Sequence, residues 1–302
     1  MNINRLAVVL TLLAALVVSP AMAPGQVFDS GPSDPALFTT VINLPPDPDI
    51  GNDESISGST QLNVADGGRV GFDFEANSGS EVNISGGTIG SSLGANSGSE
   101  VNISGGTLRN LGAGSGSVVN VNGGLVIGLI ADSGSVVNIS GGTVDIMEVL
   151  ALPFGIFAGS GSVVNISGGT IRENALSTAG EVNITGTQFI LNGRLLDALV
   201  VGESFTIAEP IETITGILAD GSSFSFGGNG VALSGFSPDA TVTLTLSLTL
   251  GDVNRDGEVN FLDISPFIAL LSAGDFQEEA DIDGNGVVNF LDIAPFINLL
   301  TE

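Results

Sequence analysis

The sequence predicts a mainly β fold: a right-handed parallel β-helix, or β-solenoid, followed by a small all-α C-terminal module. Three observations predict it, namely a repeat with a period near twenty, apolar columns in step with that repeat, and a duplicated acidic segment at the end of the chain. The repeat is plainest in SGSEVNISGGT, which occurs at 78–88 and again at 97–107. Aligned on its Asn, the motif recurs at Asn63, Asn83, Asn102, Asn120, Asn138, Asn165 and Asn183, with steps of 20, 19, 18, 18, 27 and 18. A fixed period of this length marks a solenoid, in which no unit can bury its own apolar side chains and each neighbour covers the last. The long step reads as an 18-residue unit with nine extra residues inserted within DIMEVLALPFG, at one corner of the coil.

Taken in order, the chain starts MNINRLAVVLTLLAALVVSPAMAPGQ, with one Arg, an apolar run over 6–18 and a small-x-small site at Ala21-Met22-Ala23. That is the pattern of a secretory signal peptide over 1–23, so an exported protein, extracellular or at the cell surface, is expected. The run is shorter than the roughly 20 apolar residues a spanning helix needs, so no membrane span is expected after cleavage. Residues 24–57 hold PSDP and PPDPDI with little alternation, and read as an N-terminal cap over an open sheet edge.

The coil is expected over 58–193. Along each VNI strand the side chains alternate, so Val82, Val101, Val119, Val137, Val164 and Val182 point inward together with Ile84, Ile103, Val121, Ile139, Ile166 and Ile184. A third apolar column, from Ile89 to Phe189, lies six places after each Asn, and two more, headed by Ala76 and Phe74, lie seven and nine places before it. The Gly-Gly pairs after the strand supply one corner, where a positive φ favours Gly, and Ser-Gly-Ser supplies another. Inward positions do not recur every six residues, and parallel crossovers take the right hand, which selects the handedness. In its Gly/Ser/Asn-rich rungs this region resembles the secreted, autotransporter-passenger-like β-helix family. Residues 194–250 break the repeat and read as a C-terminal β cap, with Val242, Leu244, Leu246, Leu248 and Leu250 on one face of a strand.

Composition narrows the chemistry. The chain has no Cys, His, Trp or Tyr, and only six basic residues, all Arg. Thiol nucleophiles, imidazole bases, Schiff-base lysines and His/Cys zinc sites are therefore impossible. A formal charge of −27 opposes nucleic acid and anionic membranes as partners and suits divalent cations. The outward Asn column reads as a hydrogen-bonded ladder, and its N-glycosylation matches follow from the repeat itself. Glu81 and Glu100 occupy the same place in adjacent rungs, about 4.8 Å apart, the strand spacing of a sheet. They form the best carboxylate pair available, yet they lie inside the duplicated motif and read as solvated charge, not as a catalytic pair. Arg109 and Arg172 share another outward column, with Ile127 and Asp145 between them. No catalytic residue is assigned, and the balance leans away from an enzyme.

The strongest signal is GDVNRDGEVNFLDISPFIALL, followed 29 residues later by ADIDGNGVVNFLDIAPFINLL. Each segment places oxygen-bearing groups at loop positions 1, 3, 5, 7, 9 and 12, with Gly at 6 where the chain must turn sharply. Ca²⁺ takes six to eight oxygens, and this spacing lets one short loop wrap the ion. Two sites are expected. The first uses Asp252, Asn254, Asp256, the Glu258 carbonyl, Asn260 and Asp263. The second uses Asp281, Asp283, Asn285, the Val287 carbonyl, Asn289 and Asp292.

Asp at position 12, a helix only after each loop, and the tandem FLDIxPF segments make 251–302 resemble a type I dockerin. That resemblance implies two halves related by pseudo-twofold symmetry and docking onto a cohesin-like or other cell-surface protein receptor. Where cellulosomal dockerins often carry Ser/Thr pairs, this chain has Phe261-Leu262 and Phe290-Leu291, suited either to a different receptor or to packing on the strand of 241–250. The favoured function is an exported, non-catalytic structural or adhesive β-helix with a calcium-dependent docking module. The alternative is a polysaccharide-degrading hydrolase or lyase, because modules of the dockerin family are usually appended to glycan-active enzymes.

Overall fold

The computed structural model describes residues 38–149, 152–172, 176–197, 199–227, 235–247, 249–256 and 258–301. The signal-peptide segment, the first part of the expected cap, Leu248 and the loop glycine Gly257 lie outside the described residues.

The coil is built from two stacks of parallel strands. One runs through Thr40–Leu44, Thr60–Val64, Glu81–Ile89, Glu100–Leu108, Val118–Ile127, Val136–Asp145, Val163–Ile171 and Glu181–Leu191. The other runs through Ser55–Ile56, Phe74–Ala76, Leu93–Ala95, Leu111–Ala113, Leu129–Ala131, Ile156–Ala158, Leu176–Thr178 and Gly235–Phe236. Register follows the repeat: Val82 pairs with Val101, Val101 with Val119, and Val119 with Val137. All five apolar columns are buried and meet in one continuous core, with Val101 and Ala95 at 0% exposure.

The long strands are not straight. Past Ile84 and Ile103 the register slips by one, Ser85 pairing with Gly105, and it recovers at Thr88 and Thr107. The slip falls at the Gly-Gly pair, whose second member has a positive φ, 72° at Gly87 and 77° at Gly106. Here the close approach matters as much as the dihedral, because a Cβ on Gly106 would stand 2.5 Å from the Gly86 carbonyl oxygen. The irregularity divides one hydrogen-bonded strand into two parts, so each such winding gives a two-part strand to the first stack and a short strand to the second. The nine extra residues leave the stack as expected, with Met147–Val149 and Leu152–Phe154 forming a separate antiparallel pair.

Two segments depart from the sequence reading. Thr40–Leu44, placed by the sequence in a cap, is instead a strand of the stack, pairing in register with Thr60–Val64 so that Asn43 stands beside Asn63. Thr241–Leu246, expected as β-structure closing the far end, does so as a further rung of the stack, parallel to Glu181–Leu191 with Val242 beside Val182. Neither carries the Asn-Gly-Gly signature at full strength: Thr40–Leu44 keeps the Asn, which joins the amide ladder at Asn63, while Thr241–Leu246 has Thr243 in its place. The intervening chain covers the far edge with antiparallel pieces. Thr213–Leu218 pairs with the second half of Glu181–Leu191, and Ser204–Thr206 pairs with Thr241–Leu246. Antiparallel partners of this kind occupy ladder groups that would otherwise template further strands. The shared face holds at Val242, Leu244 and Leu246, but Leu250 is 40% exposed, because the strand ends before it.

A second, smaller core holds the C-terminal module. Phe267 and Phe296 stack at 4.3 Å between ring centres, with Val253, Ala280 and Val288 buried around them. Helix α1, Ile264–Ala273, ends at Gly274 with φ 72°, and helix α2, Ile293–Leu299, follows the second loop. Phe267 and Phe296 occupy the same place in the two FLDIxPF copies, so the duplication itself produces the stacked pair.

Candidate metal centre

Each loop is closed by its own last acid. Asp263 accepts from Asn254 N–H through Oδ1 at 3.0 Å and from Asn260 N–H through Oδ2 at 2.8 Å. Asp292 repeats this with Asp283 N–H at 3.1 Å and Asn289 N–H at 2.8 Å. The first acids do the same work from the other end. Asp256 N–H donates to Asp252 Oδ1 at 3.0 Å, and Asn285 N–H donates to Asp281 Oδ1 at 3.0 Å. Asp252, Asp263, Asp281 and Asp292 are all buried, while Asp283 is exposed.

Burying several carboxylates of one sign together is unfavourable unless something compensates for their charge. In the second loop one oxygen from each of Asp281, Asp283 and Asp292 lies within 4.8 Å of the others. That cluster of hard oxygen donors fits a hard divalent cation. The first loop links the same two positions with the direction reversed: Asn254 Nδ2 at position 3 donates to Asp256 Oδ2 at 2.8 Å, whereas Asn285 Nδ2 at position 5 donates to Asp283 Oδ2 at 2.8 Å.

The position-9 residues have a second task. Asn260 Oδ1 accepts from Leu262 N–H at 2.8 Å and caps the turn Phe261–Asp263 that leads into α1. Asn289 Oδ1 accepts from Leu291 N–H at 2.8 Å in the same way. At position 7 of the second loop only the backbone carbonyl is a candidate, since the Val287 side chain carries no donor atom. Its carbonyl accepts from Asn289 Nδ2 at 3.2 Å, while Glu258 accepts from Asn260 Nδ2 through Oε2 at 3.3 Å.

Beside each loop lies an apolar pair left open to solvent. Phe261 is 75% and Phe290 81% exposed, and Leu262, Leu291, Ile268 and Ile297 are exposed with them. The pairs therefore do not pack on the strand of 241–250, which settles that alternative.

On the coil, the Asn column is a chain of amides. Asn63 donates to Asn43, Asn83 to Asn63, Asn102 to Asn83, Asn120 to Asn102, Asn138 to Asn120, Asn165 to Asn138 and Asn183 to Asn165, all at 2.7–3.0 Å. Glu81 differs from its expected solvated state. It is 4% exposed and accepts from Gln61 Nε2 at 3.0 Å and Asn83 Nδ2 at 2.6 Å. Gln61 in the rung below covers it, whereas Glu100 stays exposed and accepts from Asn120 at 3.3 Å. Arg172 ion-pairs with Asp145 at 3.0 Å, and that contact, aided by the Ile146 N–H, holds the Asp145 carboxyl below its ordinary pKa.

Two loop–helix halves, each with acids closing a short loop and both sharing one aromatic core, define a duplicated loop–helix class of module. Residues 250–301 match the family model described as the Dockerin type I domain. The chain thus carries a type I dockerin domain behind a β-solenoid. No curated protein and no solved structure matches it. Among the described residues no helix is long and apolar enough to cross a membrane.

Proposed function

We propose that this is an exported, non-catalytic structural or adhesive protein whose β-helix is presented by a calcium-dependent docking module. The observation that carries the reading is the state of the coil's best carboxylate pair. Glu81 is covered and hydrogen-bonded by Gln61 and Asn83, and Glu100 is engaged by Asn120, so the pair supports the amide ladder. Glycoside hydrolysis asks for two carboxylates facing a bond across an open gap, one of them free to exchange a proton. A panel of neutral and acidic polysaccharides, scored for reducing ends and unsaturated products, tests this directly. Turnover of any member refutes the non-catalytic assignment and favours the second reading, a polysaccharide hydrolase or lyase, which the dockerin match supports.

In the docking module we assign Ca²⁺ to both loops, held by Asp252, Asn254, Asp256, Glu258, Asn260 and Asp263, and by Asp281, Asp283, Asn285, Val287, Asn289 and Asp292. Bound ions would offset the gathered negative charge and tie the loop ends to their helices. The partner is a cohesin-type protein receptor, met by Phe261-Leu262 and Phe290-Leu291. Open aromatic and aliphatic side chains of this size are the usual anchors of a protein interface. Replacing both Phe261 and Phe290 by Ser should leave calcium uptake intact and weaken capture by an immobilised cohesin at least tenfold, as loss of interface anchors does. Unchanged capture removes these side chains from the interface.

A further inference from the structure

Three contacts join the first loop and the Gly251 before it to Gln277 and Glu279, at the short helical turn Glu278–Ala280 that ends directly before Asp281. Gly251 N–H donates to the Glu279 carbonyl at 2.8 Å, and Gln277 Nε2 donates to the Val253 carbonyl at 2.8 Å. The third contact joins two charged side chains. Arg255 Nη2 donates to Glu279 Oε2 at 3.1 Å, and Arg255 Nε lies 2.7 Å from Oε1. The Nε approach is too oblique for a hydrogen bond, so that half of the contact is ionic.

The pair is unequal in its surroundings. The Glu279 side chain is 4% exposed and the Arg255 side chain 41%. A carboxylate so covered is costly to leave without its cation. Arg255 stands at position 4 of its loop, a position that supplies no ligand oxygen, and has φ 59°. Left-handed backbone of this kind favours Gly, so coordination and backbone geometry both leave the Arg unexplained. Its guanidinium explains it, because this side chain reaches from one loop to Glu279, two places before the other loop's first acid.

We infer that Arg255 and Glu279 form an inter-loop strut that positions the second metal site from the first. When the first loop gathers around its ion, the backbone at Arg255 is held between Asn254 and Asp256. The guanidinium then fixes Glu279, and with it the approach of Asp281 to the second loop. Arg255 and Glu279 are positioning residues, outside the set of ligands assigned to either ion. The inference rests on the calcium assignment above, and its consequence is that the two loops fill as a coupled pair.

Arg255→Gly isolates the side chain, since Gly accepts φ 59° without strain. Calorimetric calcium titration of the full chain, with the backbone amides of Glu258 and Gly286 followed by NMR as reporters of the two loops, should show the second loop weakened about tenfold, the lower end of the effect of removing an outer-sphere partner. The first loop should change less. Glu279→Gln should give a similar loss, and the double variant little more than either alone, because one contact is removed in each case. Circular dichroism at saturating calcium checks the fold of each variant. Arg255→Gln, which keeps the stem and the backbone strain, replaces the Gly variant should that fail to fold. Wild-type affinity at the second loop in either Arg255 variant, or fully additive losses in the double variant, overturns the strut alone. A wild-type chain that takes up no calcium overturns the metal assignment and the strut together.

Discussion

Ile103→Ala puts the stacking account under the most direct strain. Ile103 is 1% exposed and pairs in register with Ile84 on one side and Val121 on the other. The change removes three carbons, and at about 0.8 kcal/mol per buried methylene the transfer loss alone is about 2.4 kcal/mol. The flanking strands are tied to the ladder by backbone hydrogen bonds, so the hole cannot close by moving a rung. The unfilled space then raises the cost to about 4 kcal/mol, toward the upper end for Ile→Ala in packed cores. Thr107→Ala, on an exposed side chain of the same strand, should stay within about 0.5 kcal/mol. Urea unfolding of the full chain at fixed saturating calcium, followed by far-ultraviolet circular dichroism, reads both as midpoint shifts at a common slope. A loss below about 1 kcal/mol for Ile103→Ala, the scale of an ordinary surface or mildly perturbing change, would refute the shared core.

Two glycines should behave oppositely. Gly106→Ala, at φ 77° with Gly86 O 2.5 Å from the new Cβ, should destabilise by more than about 1 kcal/mol, whereas Gly112→Ala meets only Leu93 O at 4.0 Å and should be neutral or stabilising by about 0.5 kcal/mol; equal melting points contradict the bend geometry. Chelation by EDTA should abolish the melting transition of the C-terminal module while leaving the coil's strand signal, because Asp281, Asp283 and Asp292 then face one another uncompensated; a calcium-independent melt rejects the metal assignment. Arg172→Gln should raise the Asp145 pKa toward 3.8, read by NMR titration, since the Arg172 hydrogen bond is the main cause of its depression, followed by the Ile146 N–H. A carboxyl depressed in the folded state contributes stability above its unfolded pKa and loses it as the pH falls through the lower folded value. An unmoved Asp145 midpoint discounts the pair.

The columns headed by Val82, Ile84, Ile89, Ala76 and Phe74 were legible because strand alternation is a local pattern and the repeat shows which rungs share it. The duplicated loop–helix module was legible for the same reason, since a dozen consecutive residues carry its acidic spacing. Thr40–Leu44 escaped because PPDPDI after it reads as irregular chain, and its place is shown only by Asn43 pairing with Asn63. Thr241–Leu246 escaped because Thr243 stands where the other rungs have Asn, beside Asn183. The burial of Glu81 depends on Gln61, a residue twenty positions earlier that the alignment left without a role.

By itself the sequence determined which side chains face inward, where the coil repeats and where the two acidic loops lie, because each of these is written within a few neighbouring residues. Tertiary structure decided where the stack begins and ends, which of two identical glutamates is covered, and how one loop reaches the other through Arg255 and Glu279. Those outcomes depend on partners brought together from 20 or more residues apart, and no local pattern encodes which distant group will arrive.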